Sequence, residues 1–205
     1  MEQRCRSVES VDVAHGQQRS RARGASMNFS PTPLPGVFVI EAELREDERG
    51  FFARTWCATE AADHGIHVAW VQFNLSNTKH RGTLRGMHYQ LAPHAEGKLI
   101  RVTQGAIHDV VVDLRPESVT YRQHVAVQLT AQNRQALYIP PAALAHGFLT
   151  LSDDTEVTYQ MSAPYVPAAA AGVRWDDPAF GIQWPAAISA ISERDARFPN
   201  FDRTP

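Results

Sequence analysis

The chain has 205 residues and a mass of 22.8 kDa, with 43% hydrophobic and 20% charged residues. Twenty Lys and Arg against 22 Asp and Glu give a formal charge of -2, which is far from the basic balance of a nucleic-acid-binding or membrane-surface protein. No apolar run approaches the roughly 20 residues of a membrane span. Two cysteines, Cys5 and Cys57, are too few for a disulfide framework and form no Cys-x-x-Cys motif. The composition predicts a cytoplasmic single-domain protein that acts on small molecules.

Residues 1–26 differ from the rest of the chain. They are rich in Arg, Gln, Ser and Gly, show no hydrophobic period and lack the apolar core of an export signal. We expect a disordered tail over 1–26, the alternative being a nucleic-acid-binding arm. One domain is predicted for 27–188, followed by a C-terminal helix or tail over 189–205.

Short runs of β-branched and aromatic residues recur from residue 36 onward, separated by turn residues such as those at 104–105 and 152–154. The runs are Val37–Ile40, Leu99–Val102, Ile107–Leu114, Val125–Leu129, Ala136–Ile139, Phe148–Leu151 and Val157–Met161. This spacing is typical of an antiparallel sandwich or barrel. One helix is predicted over Thr59–His64, with Thr59 as its N-cap.

The densest polar cluster is Arg85–Gln90, with Lys98 ten residues after His88. In a regular strand, His88 and Gln90 would share one face and Arg85 would lie on the other. Gly86 would allow a ligand or another backbone to come close.

Histidines in separate strands raise the possibility of a metal-binding cupin, which presents His-x-His, then Glu, then a third His. Here Gln90 takes the place of the second His, Glu96 lies in a loop at an unusual spacing, and His146 alone fits the later position. We therefore expect no bound metal.

Several segments in the same order resemble the dTDP-4-dehydrorhamnose 3,5-epimerase family. They are Asp47–Phe52, Gln72–Ser76, Leu84–Gln90, Gly97–Leu99, Asp113–Arg115, Ala145–Phe148, Trp175–Asp177 and Ile182–Pro185. The resemblance implies a mainly β fold, a cupin-like antiparallel barrel of jelly-roll type with a few short helices. It also implies cofactor-free inversion of C3, C5 or both in a nucleotide-diphospho-4-keto-6-deoxyhexose, taken to be dTDP-4-dehydro-6-deoxyglucose, for deoxysugar or polysaccharide synthesis.

Inversion beside a ketone needs a base on one face, a donor at the ketone oxygen and an acid on the other face. The resemblance assigns the base to His88 and the carboxylate that orients it to Asp177. Lys98 would stabilise the enolate oxygen. Tyr159 would return the proton, with Tyr165 as a second candidate.

Further family positions are implied to surround the substrate: Arg49, Phe52, Gln72, Asn74, Arg85, His146 and Tyr165. The guanidinium of Arg85 suits a diphosphate. In this family N-terminal strands cross between subunits, so a homodimer is implied in which Arg49 serves the neighbour's site.

The chain departs from the family pattern around the nucleotide and the acid tyrosine, at Arg54, Phe73, Gln160, Pro164 and Asp176. Two alternatives therefore stay open. One is a mono-epimerase that acts on a different nucleotide keto-sugar, and the other is a barrel that binds nucleotide sugars without turning them over.

Overall fold

The computed structural model describes residues 26–201. The predicted N-terminal tail therefore lies, except for Ser26, outside the described residues. Within them, no helix is both long enough and apolar enough to cross a membrane.

Strands dominate the described part of the chain. They are β1 (Met27–Pro31), β2 (Phe38–Ala42), β3 (Leu44–Asp47), β4 (Gly50–Ala53), β5 (Gln72–Thr78), β6 (Thr83–Gln90), β7 (Lys98–Gln104), β8 (Ala106–Asp113), β9 (His124–Thr130), β10 (Gln135–Ile139), β11 (Leu144–Thr150), β12 (Thr155–Met161), β13 (Ala170–Gly172) and β14 (Ala190–Ile191). The helices are α1 (Ala58–Asp63), a 3-10 turn (Pro167–Ala169) and α2 (Glu193–Ala196). The prediction of a mainly β chain with a few short helices is confirmed.

Two sheets carry the fold. The first has the strand order β1-β2-β10-β7-β12-β5, and the second has the order β13-β6-β11-β8-β9, with β14 added in parallel to β6. The other neighbouring strands in both sheets pair antiparallel, as the spacing of the runs predicts. β3 and β4 form a separate hairpin.

The main apolar core lies between the two sheets. Ile100 and Val157 contribute from the first sheet, and Val111 and Phe148 contribute from the second. Burying each such side chain contributes about 1.5–3 kcal/mol. Phe148 and the partly buried Tyr159 also line a cavity, so the cavity begins where this core ends.

Helix α1 begins one residue before its predicted start. Cys57, which is half-buried, occupies the N-cap position in an extended conformation and makes no side-chain cap, so the prediction of Thr59 as N-cap is wrong. Packing fixes this helix, because Ala61 is buried in an apolar cluster to which Trp56 and Cys57 also belong. A helix of six residues gains more from such burial than from a cap.

The pairing of β6 with β11 contains a bulge that shapes the cavity. His88 pairs with His146, but Arg85 pairs with Phe148, so β6 carries one extra residue between the two pairs. Arg85 and His88 consequently line the same cavity, and the predicted alternation that placed them on opposite faces is wrong. A Cβ on Gly86 would collide with the backbone of Gly147, so the close approach expected there is to another strand.

Candidate active site

A cavity of about 640 Å³ opens between the two sheets. Strands β5, β7 and β12 of the first sheet, β6 and β11 of the second, and the segment around α2 form its walls. The predicted site residues that line it are Asn74, Arg85, His88, Lys98, His146, Tyr159 and Tyr165.

His88 is paired with a carboxylate from the C-terminal segment. Its Nε2 lies 2.7 Å from Oδ1 of Asp195, whose second oxygen accepts a hydrogen bond from the Gly86 backbone N–H at 3.3 Å. Burial raises the pKa of Asp195, but the hydrogen bonds from His88 and Gly86 outweigh it and leave the pKa below its usual value. The carboxylate is therefore ionised at neutral pH and can orient the imidazole.

The predicted pairing of Asp177 with His88 is corrected by these contacts. The carboxylate of Asp177 instead accepts hydrogen bonds from the backbone N–H groups of Ala179 and Phe201, and Asp177 does not line the cavity. It ties a loop to the chain end, because an Asp before a proline readily bonds backbone N–H groups two residues on.

Lys98 is nearly buried beside the base. Its Nζ donates to the backbone carbonyl of His88 at 3.1 Å and lies 3.1 Å from Oε1 of Glu96. The sequence places Glu96 in a loop, and so does the structure, yet its side chain lines the cavity.

Tyr159 enters the cavity from the first sheet, opposite the strand that carries His88. Its hydroxyl lies 3.0 Å from the Ser76 hydroxyl. Burial raises the pKa of Tyr159 to about 12, with the nearby Asp109 acting in the same direction and Ser76 opposing. The phenol is therefore fully protonated at neutral pH and can act as a donor.

The imidazole of His146 is held in place by a buried carboxylate. Its Nε2 contacts Oδ1 of Asp109, which is fully buried on the neighbouring strand β8. One imidazole nitrogen is thus occupied by the protein, which fixes the orientation of the ring at the cavity wall.

At the cavity wall, the Nε of Arg85 donates to the Thr78 hydroxyl at 3.1 Å. Gln72 does not line the cavity, but it donates to Asn74 at 3.1 Å and accepts from the backbone N–H of Tyr165 at 3.2 Å. Gln72 therefore supports two lining residues.

Arg49 and Phe52 are not brought to this cavity. Both lie exposed in the β3–β4 hairpin, where Arg49 pairs with its neighbour Asp47. If Arg49 and Phe52 contribute to a substrate site, that site must belong to another copy of the chain.

Gln90 stands where a metal cupin has its second histidine, and its side-chain amide is hydrogen-bonded to backbone groups. Its Oε1 accepts from the Val166 N–H at 2.6 Å, and its Nε2 donates to the carbonyls of His94 and Pro164. Among residues 26–201, no three His, Cys, Asp or Glu side chains are grouped to hold a metal ion.

Sequence reasoning gave no role in this site to several polar residues that the structure brings there, among them Ser76, Glu96, Asp109 and Asp195. The spacing Ser192-x-x-Asp195 is a signal of a helix start, and Ser192 does cap α2 by accepting from the Asp195 N–H. That signal predicts a helix and does not reveal which strand it packs against.

The arrangement places a carboxylate-paired imidazole and a protonated phenol on different sheets, with an ammonium group in the same cavity that donates to the backbone carbonyl of the histidine. A tetrahedral carbon beside a carbonyl, held between the sheets, could lose its proton to one wall, become planar as an enolate, and gain a proton from the other wall. The ammonium could stabilise the negative charge that develops between these steps.

Comparison with known proteins finds relatives that match most of the chain. A family model described as dTDP-4-dehydrorhamnose 3,5-epimerase matches residues 31–203. The enzyme of that name from Methanothermobacter thermautotrophicus is 41% identical over 184 residues, which cover 88% of this chain and 98% of the relative.

Solved structures match as well. The Bacillus anthracis enzyme, crystallised with TDP and PPi bound, has a TM-score of 0.83 and 36% identity, and the match covers 86% of this chain and 100% of that one. A 3'-monoepimerase from Streptomyces bikiniensis in complex with dTDP-quinovose has a TM-score of 0.76 and 33% identity, with coverage of 83% and 86%. The predicted cupin-like jelly roll is confirmed by these neighbours. The chain belongs to the dTDP-4-dehydrorhamnose 3,5-epimerase family, whose members are isomerases.

Proposed function

We propose that this chain is a cytoplasmic epimerase that inverts C3, C5 or both in a dTDP-linked 4-keto-6-deoxyhexose. The observation that carries the proposal is the placement of His88 and Tyr159 on different sheets of one cavity, with Lys98, on the strand next to that of Tyr159, donating to the backbone carbonyl of His88. Proton removal and return at a carbon beside a ketone need these groups and no redox cofactor.

His88 acts as the base in this scheme. Because its Nε2 faces the ionised Asp195, the N–H of the neutral ring lies on that side and Nδ1 is left as the acceptor. Asp195 then stabilises the imidazolium that forms when the substrate proton is taken.

Lys98 stabilises the enolate. Its ammonium is enclosed by the cavity, where a fixed positive charge acts more strongly on a developing oxyanion than it would in water.

Tyr159 returns the proton on the opposite face. Its pKa of about 12 keeps the hydroxyl protonated, and the Ser76 hydroxyl holds its position. Tyr165 is the second candidate, but it is 54% exposed and less enclosed than Tyr159. Arg85, which lines the same cavity, is suited to bind the diphosphate.

The test is proton NMR of the purified protein with dTDP-4-keto-6-deoxyglucose in deuterium oxide. We expect loss of the C3 and C5 proton signals and formation of the inverted product. Loss at one carbon only would define a mono-epimerase, as for the Streptomyces bikiniensis relative. Binding of the sugar nucleotide without exchange at either carbon would contradict the proposal and favour a barrel that only binds.

We also infer a homodimer in which the β3–β4 hairpin completes the neighbour's site. Strand β5 ends its sheet, and its apolar side chains Phe73 and Leu75 are 68% and 63% exposed. Phe52 is equally exposed on the hairpin. An unpaired sheet edge with an apolar surface is rarely left open in a soluble protein, so a second copy is expected to cover it.

The double substitution Phe73→Glu/Leu75→Glu is expected to convert a dimer into a monomer in analytical ultracentrifugation. If Arg49 and Phe52 reach the neighbour's site, KM should then rise about tenfold, because losing a charged contact costs about 1.5 kcal/mol or more. Val119→Glu, at an exposed loop position, is the matched control and should leave the dimer intact. A wild-type protein that sediments as a monomer would contradict the inference.

A further inference from the structure

Glu96 is a buried charged residue of the cavity to which the proposed function gives no role. Its side chain is 5% exposed, and its Oε1 lies 3.1 Å from Nζ of Lys98, itself 9% exposed. Both side chains line the cavity that holds His88.

This ion pair is costly for the fold. Among the described residues, no donor reaches Oε2 of Glu96, so half of the carboxylate is removed from water without a partner. Two apolar side chains of similar volume would fill the same space at equal or lower cost. A charge kept in such a place is better explained by function than by stability.

The contacts of Lys98 show what Glu96 could do. An ammonium has three N–H groups in fixed tetrahedral directions, and the Glu96 carboxylate and the His88 carbonyl accept two of them. With two directions fixed, the third is fixed as well.

We propose that Glu96 is a positioning residue that directs the remaining N–H of Lys98 at the ketone oxygen of the substrate. The inference rests on the proposed function, because it needs a ketone in the cavity. Glu96 acts through Lys98, so its loss should affect the chemical step more than substrate binding.

The first test compares Glu96→Leu and Glu96→Gln with the wild type by measuring kcat and KM for epimerisation. Glu96→Leu frees the ammonium and is expected to lower kcat about 10²-fold, with KM changed less than about threefold. Glu96→Gln keeps an acceptor oxygen and loses only the charge, so a smaller loss of about tenfold is expected. Glu117→Gln, the same change at an exposed turn residue, should match the wild type.

The second test is a double-mutant cycle with Lys98→Met. If Glu96 acts through Lys98, Glu96→Leu/Lys98→Met should have the same kcat as Lys98→Met alone. The melting temperature of the double variant should be no lower than that of Lys98→Met, because the double variant leaves no unpaired carboxylate. The comparison of these two variants therefore still tests the proposal if Glu96→Leu fails to fold.

The outcomes separate the two proposals. Variants of Glu96 that lower only the melting temperature, or effects that simply add to those of Lys98→Met, would overturn the positioning role while epimerisation by the wild type stands. A wild type that exchanges no substrate proton would overturn the proposed function and the role of Glu96 with it.

Discussion

Replacing His88 with glutamine is expected to lower kcat about 10²- to 10⁴-fold, the range lost when a positioned base is removed. Glutamine can still contact Asp195 but cannot accept a proton at neutral pH. Deuterium incorporation into the keto-sugar, followed by NMR, should fall in parallel, while the affinity for the sugar nucleotide should change little because Arg85 is untouched.

His67→Gln is the matched control, because this histidine is exposed and does not line the cavity. It should exchange protons at the wild-type rate. An undiminished exchange rate in His88→Gln would show that another group is the base.

Asp195→Asn is expected to lower kcat by about 10²- to 10⁴-fold with a small change in KM, comparable to other histidine–carboxylate pairs. An amide can present an N–H to Nε2, which favours the tautomer that carries its proton on Nδ1. The nitrogen that should accept the substrate proton is then already protonated. The variant should fold normally, as judged by circular dichroism, because asparagine has nearly the same shape.

Asp177→Asn provides the opposite pattern. Its two oxygens accept from two backbone N–H groups, and an amide has only one acceptor oxygen, so we expect a loss of about 1–3 kcal/mol in unfolding free energy with kcat unchanged. Loss of activity in Asp177→Asn together with normal activity in Asp195→Asn would restore Asp177 as the orienting carboxylate.

The strands were predictable because their signal is local. The run at 136–139 alternates between the two faces of a sheet, and the structure has β10 at Gln135–Ile139. The run at 148–151 predicted only the second half of its strand, because β11 begins at Leu144. Residues 144–147 include alanine and glycine and no β-branched residue, so they carry no local strand signal. Helix α1 was found, but its start was set by packing that no local pattern encodes.

The site was predictable only in part, because a strand pattern assumes regular pairing. The extra residue in β6 turns Arg85 to the side of His88, and a bulge of this kind depends on which strand lies alongside. Asp195 could not be assigned to His88 for a similar reason. The two are separated by 107 positions, and they meet because β14 pairs in parallel with β6 and α2 packs on the same strand.

Asp195 lies near the C-terminus, and this position has a consequence for how the chain folds during its synthesis. A chain leaves the ribosome from its N-terminus, so β5 to β12 are complete before residues 190–196 exist. The strands of both sheets can pair before the cavity wall around α2 is present, and until then His88 has no carboxylate beside it. Docking of α2 on β6 would therefore complete the cavity wall and pair the imidazole of His88 with its carboxylate in one step.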